Sequence, residues 1–214
     1  MSMDTGAFRL YLITDRKTVP QGRTLLQCVE QALCGGVRAV QLRDKDLPAD
    51  ELYRCGLALR SLTARFGARL LVNDRIDVAL ATGADGVHLG EHSLPTAEAR
   101  RLLGQNAIIG RSVHHPEAIH PAAQEGADFV TFSPIYFTPS KAPFGAPQGL
   151  EALRCACACS PLPVLALGGI QQGRIREVRA AGAAGVALIS AILAAANPEA
   201  ATRALLAEMD EPLA

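Results

Sequence analysis

Eight short apolar runs alternate with stretches of helical periodicity along this chain, and that alternation leaves few folds open. The runs lie at about 8–14 (FRLYLIT), 37–42 (VRAVQL), 69–73 (RLLVN), 86–89 (GVHL), 107–110 (AIIG), 128–133 (DFVTFS), 163–167 (PVLAL) and 185–189 (GVALI), and read as strands. Helical spacing recurs between and after them at about 22–34, 49–66, 75–82, 95–103, 116–125, 148–158, 172–181 and 190–195. Four joints share one punctuation: Gly35-Gly36, Gly83-Ala84-Asp85-Gly86, Gly126-Ala127-Asp128 and Gly182-Ala183-Ala184-Gly185. A helix that ends on a glycine cap and enters a buried strand produces it, and its recurrence reads as one βα unit repeated. Eight such units predict an α/β chain folded as a (β/α)8 TIM barrel. The expected organisation is one domain over residues 1–214, with the barrel at about 8–195 and a C-terminal helix at about 198–209. A doubly wound open sheet is the rival, but it calls for a Gly-rich first turn, and the first turn here is Thr14-Asp15-Arg16-Lys17.

Composition narrows the function classes. The 21 basic and 21 acidic side chains cancel, with no basic cluster to suggest nucleic acid as a partner. A hydrophobic fraction of 49% supports a buried core and argues against disorder. The apolar stretches break within about ten residues, short of the roughly 20 that a membrane span needs. Phe8 to Thr14 is too short for a secretion signal and runs straight into Asp15-Arg16. The expectation is therefore a cytoplasmic protein with neither membrane nor nucleic acid as a partner; unpaired apolar helix faces leave a homodimer open. Six cysteines are too few for a disulfide scaffold. Cys155, Cys157 and Cys159 lack the spacing and the second half of a zinc site, and read as half-buried thiols on a helix.

Barrel enzymes carry their chemistry at the C-terminal ends of the strands. That rule selects Gln41, Arg43, Asp44 and Lys45 after the second run, Asn73-Asp74-Arg75 after the third, and His88, Glu91, His92 and Ser93 around the fourth. It continues with Arg111, Ser112, His114 and His115 after the fifth, Ser133, Thr138, Ser140 and Lys141 after the sixth, then Gly168-Gly169 and Ile189-Ser190. One solvated strand end would carry no weight, but polar clusters after six strands indicate a site. Gly168-Gly169 and Ile189-Ser190 occupy the two loops where barrels commonly hold phosphate on backbone N–H groups. The long loop from Thr138 to about Gln148 offers two hydroxyls and an ammonium to an anionic substrate. Asn73-Asp74 could offer an amide to a substrate and a carboxylate to Mg²⁺; the competing reading makes Asp74 the N-cap of the third helix. His114, two residues beyond Ser112, is placed to act as an acid or base. His88 alternates with apolar neighbours and is expected inside the barrel, with His115 and His120 on the surface of the fifth helix.

The motifs VQLRDKD, VNDRIDVALATGADGVHLG, IIGRSVH, GADFVTFSPIYFTPSK and PVLALGGI, in this order, resemble the thiamine phosphate synthase superfamily, which includes the TenI thiazole tautomerases. The resemblance runs from YLITD at Tyr11–Asp15 to VALISAI at Val186–Ile192, and the family's fold is a (β/α)8 barrel. It implies a transferase of thiamine biosynthesis that joins a hydroxymethylpyrimidine diphosphate to a thiazole phosphate and releases diphosphate. By motif, Gln41, Arg43 and Lys45 would hold the pyrimidine diphosphate, Asn73 and Ser112 would contact the same substrate, and Lys141 would meet its diphosphate. Asp74 would bind Mg²⁺, Thr138 and Ser140 would contact the thiazole, and Gly169, Ile189 and Ser190 would surround its phosphate. His114, Lys141 and Arg43 form the implied catalytic set. One position departs from the family pattern: synthases typically read Gly-Gln-Glu-Asp after the fourth strand, the aspartate being a second Mg²⁺ ligand, and this chain reads Gly90-Glu91-His92-Ser93. Ser93 and the Arg111-Ser112-Val113-His114 run resemble the tautomerase branch, so aromatisation of a thiazole carboxylate phosphate through His114 stays open as the alternative. A non-catalytic regulator that binds thiazole phosphate is a further one.

Overall fold

A computed structural model of the chain describes residues 5–138 and 146–213. The apolar runs form eight parallel strands: β1 (Leu10–Ile13), β2 (Ala39–Leu42), β3 (Arg69–Asn73), β4 (Gly86–Leu89), β5 (Ile108–Val113), β6 (Phe129–Phe132), β7 (Val164–Leu167) and β8 (Gly185–Leu188). They close in chain order, β8 pairing back onto β1 through Leu10↔Val186 and Leu12↔Leu188. The helices are α1 (Leu25–Gly35), α2 (Ala49–Arg65), α3 (Ile76–Thr82), α4 (Thr96–Leu103), α5 (Ile119–Gln124), α6 (Gly149–Cys159), α7 (Ile175–Ala180), α8 (Ser190–Leu193) and the C-terminal α9 (Pro198–Asp210). None is long and apolar enough to cross a membrane, among the described residues.

Strand side chains alternate between the two faces of the wall, and this divides the core in two. One set, with Leu12, Val40, Leu70, Val87, Ile109, Val130, Ala166 and Val186, packs beneath the helices. The other, with Tyr11, Ile13, Ala39, Leu71, Phe129, Leu165 and Ala187, fills the barrel and is joined at the N-terminal end by Phe8. Moving two residues along from Ala39, Leu71, Gly86, Gly110 and Phe129 reaches Gln41, Asn73, His88, Ser112 and Thr131. A polar layer thus lies on the apolar one, toward the C-terminal mouth.

The repeated joints do more than cap helices. Gly36, Gly83, Gly126 and Gly182 all take positive φ, as expected of left-handed helix ends. The acids that follow two of them repeat a bonding pattern as well. Asp85 accepts the Leu70 N–H at 2.8 Å and pairs with Arg60 of α2 at 2.5 Å. Asp128 accepts the Ile109 N–H and pairs with Arg100 of α4, both at 2.7 Å. Each acid therefore ties the start of the preceding strand to a helix at the base of the barrel.

The structure corrects some sequence-based boundaries. β5 runs to Val113, so Ser112 lies inside the strand, paired with Thr131, rather than beyond it. The fifth helical stretch breaks into a 3-10 turn, Pro116–Ala118, followed by α5. Cys155 and Cys159 are exposed, and only Cys157 is half-buried.

Candidate active site

The polar layer inside the mouth is a chain of neutral groups. Gln41, only 1% exposed, donates from Nε2 to the Tyr11 hydroxyl at 3.0 Å. That hydroxyl lies 3.5 Å from His88 Nδ1, while His88 Nε2 lies 3.0 Å from Ser112 Oγ and 3.3 Å from Thr131 Oγ1. Burial, assisted by the charges of Arg111 and Arg43, pushes His88 down to about 3, so its ring is neutral at physiological pH. Burial likewise holds the Tyr11 phenol in its protonated form. Tyr11 was missed as a site-supporting residue by sequence; its inward register, two positions before Ile13, was the available signal.

Beyond β2 the sequence Arg43-Asp44-Lys45-Asp46 sorts its charges. The acids are used on the protein: Arg16 reaches Asp44 at 3.2 Å and Asp46 at 2.7 Å, and Lys17 reaches Asp46 at 3.0 Å. Asp46 is held well below the usual carboxylate range by Arg16 and Lys17. Asp44 is raised, because burial outweighs its bonds to Arg16, and its Oδ2 is buried without a partner among the described residues. The cations are left over. Arg43 uses its backbone N–H on Thr14 Oγ1 at 2.8 Å. No salt bridge joins the Arg43 or Lys45 side chain to an acid among the described residues, whereas Arg9, Arg54, Arg65, Arg69 and Arg203 are all paired.

Asn73 ends β3 facing inward, and its amide lies 3.4 Å from Asp74 Oδ2. Asp74 has φ 64°, the one positive φ outside glycine among the described residues. Such a conformation costs free energy and concentrates at functional sites. The reading of Asp74 as a helix cap is overturned: the cap residue of α3 is Arg75, with no side-chain cap bond. The Asp74 carboxylate instead accepts the Ser93 hydroxyl, and Ser93 Oγ accepts the Gly90 N–H at 2.5 Å. Glu91 and His92 are exposed. No group of three or more His, Cys, Asp or Glu converges as a metal site among the described residues.

His114 stands one residue past β5, with Nδ1 2.7 Å from the Ser133 carbonyl oxygen. A carbonyl only accepts, so Nδ1 carries the proton and Nε2 of the neutral ring keeps its lone pair. Ser112 and His114 line a cavity of about 280 Å³ with Glu91, Arg111 and Glu125. Arg111 has a buried Nη1 with no partner among the described residues.

Across the barrel, Gly168 and Gly169 take φ values of 105° and 64°. A Cβ on Gly168 would sit 2.8 Å from Pro134 Cα, and one on Gly169 would sit 2.8 Å from the Phe137 carbonyl oxygen, so both positions need glycine. Ile189 precedes α8 and Ser190 opens it, beside β1 across the closed sheet. Thr138 is half-buried in the loop that follows β6. Ser140 and Lys141 lie outside the described residues. Because all eight strands are parallel, Gln41, Asn73, Ser112, Ser133 and Gly168 gather at one end of the barrel.

A closed parallel barrel with cations, a carboxylate on positive-φ backbone and a Gly-Gly turn at its C-terminal mouth has the architecture of a (β/α)8-barrel enzyme. The particular family follows from comparison. Residues 10–192 match the family described as Thiamine monophosphate synthase (TMP-TENI), and the chain belongs to that family. A Geobacter sulfurreducens protein is 58% identical over 94% of this chain and 93% of its own length. A thiamine-phosphate synthase of Roseiflexus castenholzii is 47% identical over 94% of this chain and 88% of its own. The solved thiamine phosphate pyrophosphorylase of Pyrococcus furiosus superposes with a TM-score of 0.87 at 38% identity, covering 96% of this chain and 97% of that one.

Proposed function

We propose that the protein is a thiamine phosphate synthase acting in thiamine biosynthesis. It condenses hydroxymethylpyrimidine diphosphate with thiazole phosphate. The observation that carries this reading is the charge sorting after β2, where Asp44 and Asp46 are used on Arg16 and Lys17 while Arg43 and Lys45 remain for a ligand. In the reaction the bond from the pyrimidine methylene carbon to the diphosphate oxygen breaks, and its electron pair leaves with diphosphate. The thiazole ring nitrogen then donates its pair to the methylene carbon, giving the C–N bond.

The residues divide this work. Gln41, Asn73 and Ser112 orient the pyrimidine above the neutral His88 layer. Arg43 and Lys45, with Lys141, hold the diphosphate and stabilise the charge it gains, the kind of interaction that dominates such transfers. Thr138 and Ser140 contact the thiazole, and the backbone at Gly169, Ile189 and Ser190 surrounds its phosphate. His114, its Nδ1 held by the Ser133 carbonyl, leaves Nε2 free to meet a substrate in the cavity it lines. Mg²⁺ fits the donor set modestly. Asp74 is an exposed carboxylate that makes no salt bridge among the described residues, Ser93 adds a neutral oxygen, and Mg²⁺ commonly takes only one or two protein carboxylates. Asp74 and Ser93 would hold the ion, which would supply positive charge to the diphosphate oxygens.

Coupling rate measured against Mg²⁺ concentration tests the reading. Wild type should couple, and chelator should stop it. Asp74→Asn should lower the rate at least 100-fold, since a metal–oxyanion interaction contributes several kcal/mol. Ser93→Asp should lower the Mg²⁺ concentration at half-maximal rate, and His114→Ala should be milder than Asp74→Asn. The tautomerase alternative inverts the order, because loss of a positioned acid–base group typically costs about 10²–10⁴-fold. No coupling by wild type or Ser93→Asp at any Mg²⁺ concentration would end the synthase reading.

A further inference from the structure

Three side chains to which no role has been given converge behind the Gly168-Gly169 turn. Tyr136 lies in the loop after β6, two residues before Thr138; Arg174 is the residue before α7, and Glu177 lies in its first turn. The Arg174 guanidinium carbon sits 4.3 Å from the Tyr136 ring centroid, and Arg174 Nη1 donates to the Gly169 carbonyl at 2.8 Å. The Tyr136 hydroxyl donates to Glu177 Oε1 at 2.5 Å, and the Tyr136 N–H donates to the Gly168 carbonyl at 3.0 Å. Both carbonyls of the glycine pair are therefore bonded from one side. One bond comes from the Tyr136 backbone N–H and the other from the Arg174 guanidinium, which stacks on the Tyr136 ring that Glu177 holds by its hydroxyl.

The consequence follows from the peptide plane. In a trans peptide the carbonyl and the next residue's N–H point in opposite directions. Holding the Gly168 carbonyl toward Tyr136 turns the Gly169 N–H away from this clamp, and holding the Gly169 carbonyl toward Arg174 does the same to the Ile170 N–H. Two glycines at positive φ would otherwise be among the least constrained residues in the chain.

We propose that Arg174 and Tyr136 are positioning residues for the phosphate turn. They fix the two glycine carbonyls so that the Gly169 and Ile170 N–H groups are presented together to the phosphate of the thiazole substrate. The same clamp couples the turn to the loop carrying Thr138, so phosphate and ring contacts are set by one device. This rests on the assignment of the thiazole phosphate made above.

The test reads the two substrates separately. Binding of thiazole phosphate and of inorganic phosphate is measured by calorimetry, and KM for each substrate by the coupling assay. Variants are Arg174→Met, which keeps the stem, Arg174→Lys, which keeps a donor and the charge, and Tyr136→Phe, which keeps the ring. Arg174→Met should weaken thiazole phosphate about tenfold in both Kd and KM, leave the KM for pyrimidine diphosphate within twofold, and leave thermal unfolding cooperative. Arg174→Lys should recover part of the loss, and Tyr136→Phe should fall between. Unchanged thiazole phosphate affinity in folded Arg174→Met overturns the proposal. Equal weakening of both substrates overturns it too, since that is what a general structural defect gives. Calorimetry needs no turnover: if wild type binds thiazole phosphate without coupling, the synthase reading fails while the clamp is still judged by Kd. If wild type binds neither phosphate ligand, the clamp fails with the turn.

Discussion

His88 shows how a single residue can make stability depend on acidity while taking no charge itself. In the unfolded chain its ring gains a proton near pH 6.5; in the folded protein, burial first and the charges of Arg111 and Arg43 next delay this to about 3. Between those values the unfolded state binds more protons, so stability is full above about 6.5 and falls as pH drops through the window. The slope is about 1.4 kcal/mol per pH unit for one such group, or about 2 kcal/mol between pH 6.5 and 5. Urea unfolding at pH 7.5 and pH 5.0 should show His88→Gln losing that much less stability across the interval than wild type. Equal losses would mean that the ring is protonated in the fold. His88 was legible as an interior residue because it alternates with Val87 and Leu89. Asp74 was legible as a candidate site carboxylate but its backbone was not: the same residue type serves helix caps and metal sites, and a positive φ, though commoner at Asp than at most non-glycine residues, is not specified by the sequence.

At the scale of elements, the strands and their order were readable because two-residue alternation and Gly punctuation are local signals. What joins the elements was not. Nothing local in Gly-Ala-Asp assigns the acid a partner, yet Asp85 and Asp128 each fix a strand start and a helix arginine 15 or more positions away. Arg100 illustrates the cost of losing such a link. It bonds Asp128 at 2.7 Å and the carbonyls of Gly104, Ala107 and Gly126, with its side chain only 12% exposed. Arg100→Leu leaves Asp128 and three acceptors with fewer partners and should cost about 3 kcal/mol, the range for breaking a buried pair. Because this anchor lies at the base, kcat measured well below the melting temperature should change less than twofold. A matching loss of kcat at full foldedness would show that base and mouth are coupled. By contrast Arg54→Leu, which removes only an exposed pair with Asp50, should leave the melting temperature nearly unchanged.

For the whole molecule, the interior aromatic cluster decides which end is open. Phe8, Tyr11 and Phe129 pack with ring centroids 4.9–5.5 Å apart, and Phe8 is 1% exposed. Phe8→Ala should destabilise the fold by about 3–5 kcal/mol, as large-to-small changes of buried aromatics do, and a melting shift of only a degree or two would show that the base is not packed as described. The plug also has a kinetic meaning. A barrel sealed at its base is a blind alley, and traffic in a blind alley is last in, first out. The pyrimidine's expected contacts reach down to Gln41, whereas the thiazole phosphate's expected turn at Gly169 and Ser190 is at the rim. On the proposed placement of the two substrates, the deeper guest should bind first. A thiazole phosphate that arrives early bars the way, so excess of it should slow turnover unless pyrimidine diphosphate is raised in step.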